Sequence, residues 1–223
     1  MKGRKYEQKK TKTDILHSCF TDCAAATMLS FEKAEADVLL RPPRNVKKDR
    51  LVNWQLVLQS YGVMGIIQTF ASFAMSFWYL ERNGIRFSQL WFAFGKVPVG
   101  VDEDYYLNKV NEASSIYFVN LVVMQWFNLM TTRTRRLSIV QHPPLFNKHT
   151  QNWYLFPAII FALAMAIMWL YIPSLQPVLG TTPVPVEHWF LPFSFGIFII
   201  LLDEARKFCV RKWPKGIIAR AAW

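Results

Sequence analysis

The sequence predicts an all-α fold, a polytopic bundle of transmembrane helices with four strong spans and one weak N-terminal segment. Composition points there first. Of 223 residues, 52% are hydrophobic and 16% aromatic, while 18% are charged, against about a quarter in soluble domains. The placement of the charges is the second observation: none falls in 51–80, 113–132, 149–186 or 188–202. A helix needs about 20 mainly apolar residues to cross a hydrocarbon core of roughly 30 Å. Each of these windows holds such a run. The third observation is that Lys and Arg gather between the runs, where they set orientation.

The first strong span lies within 54–80, with Phe77, Trp78 and Tyr79 as an interfacial aromatic belt. The second covers about 113–132, between Glu112 and Arg133. The third runs about 153–172, framed by Trp153 and Tyr154 at its start and by Trp169, Tyr171 and Pro173 at its end. The fourth covers about 184–202, with Trp189 near its start and Asp203 and Glu204 stopping it. The weak segment, 15–31, carries Asp22 near its centre. A central Asp costs about +2.5 to +3.5 kcal/mol of insertion free energy, as much as its Leu, Ile and Phe residues return. It either needs a partner helix or stays at the cytoplasmic surface. The domain reading is a basic tail (1–14), a transmembrane domain (15–203) and a basic cytoplasmic tail (204–223).

Lys and Arg number six in 32–53, four in 81–112, four in 133–152, none in 173–187 and six after 203. The alternation that fits best places 32–53, 133–152 and the C-terminus in the cytoplasm, with 81–112 and 173–187 outside. The net charge of +11 therefore belongs to membrane topology and the lipid bilayer is the expected partner, not nucleic acid. Cys19, Cys23 and Cys209 form no disulfide framework, and His17, His142, His149 and His188 lack metal-ligand spacing, which reads as interfacial or loop histidines. No resident metal, phosphate-binding loop or nucleotide fingerprint is expected, and hence no cofactor in this chain. The basic start has no apolar core of the kind a secretory signal needs.

An ionisable group inside a span is a functional hypothesis by default. Asp22 is the candidate: among Ser18, Thr21 and Thr27 it suits a hard cation that prefers oxygen ligands, or it is solvated outside the membrane. Asn120, Gln125 and Asn128 make one polar face of the second strong span, facing either an ion or a neighbouring helix. Gly62, Gly65, Ala71, Ser72, Ala74 and Ser76 read as close-packing positions. Arg133, Thr134, Arg135, Arg136, Leu137 and Ser138 suit either a basophilic kinase acting on Ser138 or plain positive-inside anchoring.

Several stretches together resemble the C-terminal membrane region, the sixth to tenth helices, of P-type cation-transporting ATPases. The likeness is to the sodium/potassium-pump branch, with a fungal member as the expectation. Thr21 and Asp22, then Ser30, Phe31, Glu32, Lys33, Ala34, Glu35, Ala36 and Asp37, resemble the end of the sixth helix. Arg41, Pro42, Pro43, Arg44 and Asn45, then Asp49 to Asn53, resemble the link to the seventh. Tyr61, Gly62, Gly65 and Gln68 resemble the seventh. Gln125 and Trp126, then Thr132 to Arg136, resemble the end of the eighth. Asp203, Glu204, Ala205, Arg206 and Lys207 resemble the close of the tenth. The resemblance implies that Asp22 helps coordinate transported Na⁺ or K⁺, that Ser18 occupies a second ligand position acidic in the family, and that Gln125 and Asn128 match an additional sodium site. Asn128 replaces an Asp there, and the ninth-helix Glu of that site has no counterpart in 153–172. It also implies a plasma-membrane protein whose full-length form consumes Mg-ATP and works with other pump helices or an accessory subunit. The phosphorylated DKTGT motif is not in the sequence, so this chain is not expected to act as an enzyme by itself. It reads as a portion of a pump, or as a stand-alone membrane protein that associates with pumps and modulates them.

Overall fold

A computed structural model describes residues 23–35, 52–90, 97, 100–145, 147–148, 150–216 and 218–219, and all regular structure among them is helical. Helix α1 is Cys23–Leu29, and α2 runs Trp54–Arg82. The short α3 (Phe87–Leu90) leads to α4 (Glu103–Thr132), followed by α5 (Leu155–Tyr171), α6 (Gln176–Leu179), α7 (Glu187–Phe190) and α8 (Pro192–Lys212).

Two helices, α2 and α4, are long and apolar enough to cross a membrane. The other two expected spans differ from the reading above. Helix α5 is apolar throughout but has 17 residues, about 25 Å of helix at 1.5 Å per residue. The fourth expected span divides between α7 and α8, and α8 runs on well past Asp203 and Glu204. Among the described residues, then, two helices of spanning length and one shorter apolar helix stand where four spans are expected. The weak segment supplies α1, while its first eight residues, Ser18 and Asp22 included, lie outside the described residues.

Local chemistry explains the bounds. Asp102 caps α4, its carboxylate accepting from the Tyr105 N–H at 3.2 Å, and Glu103 and Asp104 occupy the first turn. Acidic groups there complement the helix dipole and extend α4 outward beyond its charge-free window. Helix α5 ends at Tyr171 because Pro173 pushes Ile172 into extended backbone. Pro192 opens α8, while Arg211 and Lys212 close it at the favourable end of the dipole.

Helix α2 contains a π-helical stretch, Leu58–Gly65. A methyl group on Gly62 would lie 3.0 Å from the Leu58 side chain, and one on Gly65 would lie 3.3 Å from the Ser60 carbonyl oxygen. These glycines therefore serve the wider turn of their own helix rather than contact with another. Close packing falls instead on Ala71, Ser72 and Ser76, which are buried, while Ala74 is exposed.

Helix α4 is the hub. It packs against α2, α5, α7 and α8, and Ile116, Val119, Val122 and Val123 along it are fully or almost fully buried. Met75 and Leu80 of α2 and Ala166 and Leu170 of α5 complete the main core. A second cluster joins Met64 and Ala71 to Met124 and Ile199. Hydrogen bonds tie the apolar surfaces: Ser76 Oγ donates to the Ala113 carbonyl at 2.9 Å, and Asn120 Nδ2 donates to Ser72 Oγ at 2.6 Å.

Candidate functional site

Helix α4 carries Gln125 and Asn128 at neighbouring turns, yet the structure separates them. Gln125 is exposed on the bundle surface. Asn128 is half-buried and lines a cavity of about 330 Å³ between α1, α2, α4 and α8, together with Gln59, Ser60, Thr131, Asp203 and Arg206. The third polar residue of that face, Asn120, is fully buried and spends its amide on Ser72 of α2. The face therefore divides: Asn120 joins helices, Asn128 borders a cavity whose wall also includes Leu29, Leu56 and Met64, and Gln125 points away from both.

Beside the cavity, the end of α8 builds a buried ionic cluster. The Asp203, Arg206 and Lys207 spacing puts both bases on the face of the acid. Arg206 lies 2.8 Å and Lys207 2.6 Å from Asp203, and the fully buried Lys207 also donates to the Thr131 carbonyl at 3.0 Å. A lysine this deep stands only because acceptors surround its ammonium group. The Thr131 carbonyl in the last turn of α4 is thus capped by a cation from α8. Arg211 donates to the Arg136 carbonyl at 2.7 Å, and Glu204 accepts from the Ile139 N–H at 2.9 Å.

Glu32, just beyond α1, approaches the same turn from the other side. Its carboxylate accepts from Arg133 Nε at 3.0 Å and Arg133 Nη2 at 2.6 Å, a two-pronged pairing. Asn152 adds a bond at 2.9 Å, and His142 Nε2 lies 3.2 Å away. The side chains are nearly dry: 2% exposure for Arg133 and 11% for Glu32. Burial opposes ionisation of Glu32, but the hydrogen bonds from Arg133, Asn152 and His142 and the Arg133 charge together hold its carboxyl below the ordinary range. Glu35 accepts from the backbone N–H groups of Arg135 and Arg136. Segment 131–139 is consequently pinned by charged side chains from both the α1 end and α8.

Ser138 sits inside this clasp. It is buried, its hydroxyl accepting from the Val140 N–H at 3.2 Å. His142, in the loop after α4, and His188, in the short α7, are both buried. His17 and His149 lie outside the described residues. The buried roles of Glu32, His142, Asn152 and Lys207 are not evident from hydropathy. The only local signal is the three- and four-residue spacing around Asp203.

The two clusters draw on Asp203 to Lys207 and on Arg133 of Thr132 to Arg136, stretches that carry the resemblance. The family model described as Cation transporting ATPase, C-terminus, matches residues 15–209. The chain belongs to that family. Among similar proteins is the sodium/potassium-transporting ATPase subunit alpha of Tetronarce californica, 31% identical over 215 residues, which cover 91% of this chain and 20% of the relative. The protein of the same name from Hydra vulgaris is 32% identical over 91% of this chain and 20% of its own length. That from Drosophila melanogaster is 32% identical over 88% and 19%. The chain spans about a fifth of the length of these curated relatives. The cation-ATPase C-terminal match takes in both the Glu32 and Asp203 clusters, so the pinned turn and its neighbouring cavity lie inside the family region.

Proposed function

We propose that this chain forms the membrane-embedded C-terminal portion of a P-type pump for monovalent cations of the Na⁺/K⁺ type. It contributes helix scaffold and part of the ion pathway. The family match over 15–209 carries this reading. Asp22 is the principal cation ligand, with Ser18 beside it as a neutral oxygen donor. Asn128, bordering the cavity between α1, α2, α4 and α8, is a secondary donor. Gln125 would need a further helix against its exposed face to take part. ATP hydrolysis, with its Mg-ATP requirement, belongs to regions of the relatives that this chain does not span.

In this reading, the end of the bundle holding Glu32, Arg133 and the α8 terminus is cytoplasmic, in the plasma membrane of a fungal cell. The concentration of Lys and Arg in 32–53, 133–152 and after 203 supports that orientation. Phosphorylation at Ser138 is part of the same reading, with one condition: a kinase reaches the hydroxyl only after the turn is unpinned. A stand-alone partner of pumps is the second reading. It draws on the way α2, α4, α5 and α8 enclose their own core.

A chimera tests the first reading. Residues 15–209 replace the matching region of a relative's alpha subunit, and cation-stimulated ATP hydrolysis and Rb⁺ uptake are measured in membranes. The expected outcome is retained activity, with Asp22→Asn raising the cation concentration for half-activation about tenfold, equivalent to about 1.4 kcal/mol. An inactive but well-folded chimera, or an active one indifferent to Asp22→Asn, contradicts the assignment of the ion pathway. Binding of the separate chain to an intact pump would then favour the second reading.

A further inference from the structure

At the end of the bundle opposite the charged turn, His188 of α7 has no solvent exposure. Neither ring nitrogen has a hydrogen-bond partner among the described residues. Its ring packs edge-on against two aromatic rings of α2, Trp78 at 5.8 Å and Tyr79 at 5.3 Å between centroids. A buried imidazole with both nitrogens unbonded is an expensive choice at a site any apolar ring could fill. Its distinguishing property is that it takes up a proton within the range pH 5–8.

The charged and titratable groups around it are few. From its own helix, Glu187 Oε1 lies 3.5 Å from His188 Nε2. From α2, Arg82 pairs with Glu187 at 3.5 Å and stacks 4.9 Å over Trp78. Helix α4 brings Lys109 and Glu112, both bonded to the Tyr79 hydroxyl. Neither 192–202 of α8 nor the connection 172–186 contains a charged residue. A proton on His188 would create a cation with no solvent exposure, its Nδ1–H without an acceptor and its Nε2–H facing only Glu187 at 3.5 Å. One carboxylate would compensate, and that carboxylate is already shared with Arg82.

We propose that His188 is a proton-operated catch: neutral, it closes the junction of α2, α4 and α7; protonated, it opens that junction. The inference does not depend on the pump assignment, because it rests on packing alone. The full chain, purified in detergent, is heated at about pH 8 and about pH 5.5, a range that spans the imidazole and stays above ordinary carboxylates. The wild-type midpoint should fall by about 2–4 °C more than that of His188→Phe, since His17, His142 and His149 are common to both. Hydrogen–deuterium exchange in 78–83 and 186–190 should rise at the lower pH in the wild type and not in the variant. Should His188→Phe fail to fold, Glu187→Gln serves instead: removing the compensating carboxylate should enlarge the acid-induced drop. An equal drop in wild type and His188→Phe, or an unchanged one in Glu187→Gln, overturns the catch.

Discussion

Arg133 pairs with Glu32 through two hydrogen bonds in a nearly water-free setting, while also donating to the Thr150 carbonyl at 2.9 Å. Breaking such a pair by removing one partner strands a buried charge, at a cost of about 3–5 kcal/mol. Arg133→Met should therefore lower stability by roughly that amount, read from denaturant unfolding in detergent, with Glu32→Gln less costly because its amide still accepts from the guanidinium. The pair also fixes a pH dependence. The Glu32 carboxyl is held below its ordinary value of 4.5. Its contribution is then complete above that value and is lost as pH falls through the lower folded-state one. The stability gap between wild type and Glu32→Gln should stay constant from about pH 8 to about pH 5 and shrink below about pH 4.5. A gap that shrinks on going alkaline would contradict the geometry. None of this was visible in the sequence. Glu32 precedes Arg133 by 101 residues, and a partner so distant is invisible to any local pattern.

Elements were legible where lipid dictates composition, and illegible where polar groups satisfy one another. The charge-free windows located α2, α4 and α5 because a helix in hydrocarbon cannot afford unpaired charge. Helices run beyond the charge-free windows where polar groups satisfy one another: Asp102, Glu103 and Asp104 cap and lengthen α4, and Asp203 and Glu204 close the apolar run while their neighbours Arg206 and Lys207 pair with Asp203 and carry α8 onward. The glycines mislead. Small residues suggested close contact along α2, whereas the tightest approach lies at Gly196 of α8, where an added methyl group would lie 2.2 Å from the Phe127 ring of α4. Gly196→Ala should accordingly destabilise the α4–α8 contact by about 1–3 kcal/mol. Adding Phe127→Ala should recover part of that loss rather than add to it, as a thermal-shift double-mutant cycle would reveal. Additive losses would mean the two residues do not meet.

At the scale of the whole molecule, one arrangement unites these parts. A central helix, α4, packs on its neighbours through apolar surface and ends in a turn gripped by ions from the segment just after α1 and from α8. Large apolar side chains such as Phe70, Phe161, Ile197 and Leu201 face outward along the helices, with exposures between 41% and 72%. On a soluble protein such a surface would drive aggregation; in a bilayer it meets acyl chains. The family was readable from five short motifs in order. The candidate cation site was readable only in part, because Asn128, Gln125 and Asn120 share a helix face but have different neighbours.

The claim on which all of this depends is that the bundle is embedded in lipid, and alkaline extraction of membranes from cells expressing the full chain tests it most directly. The chain should stay in the membrane pellet after carbonate treatment and be released only by detergent. Recovery in the aqueous supernatant as a monodisperse species would contradict it.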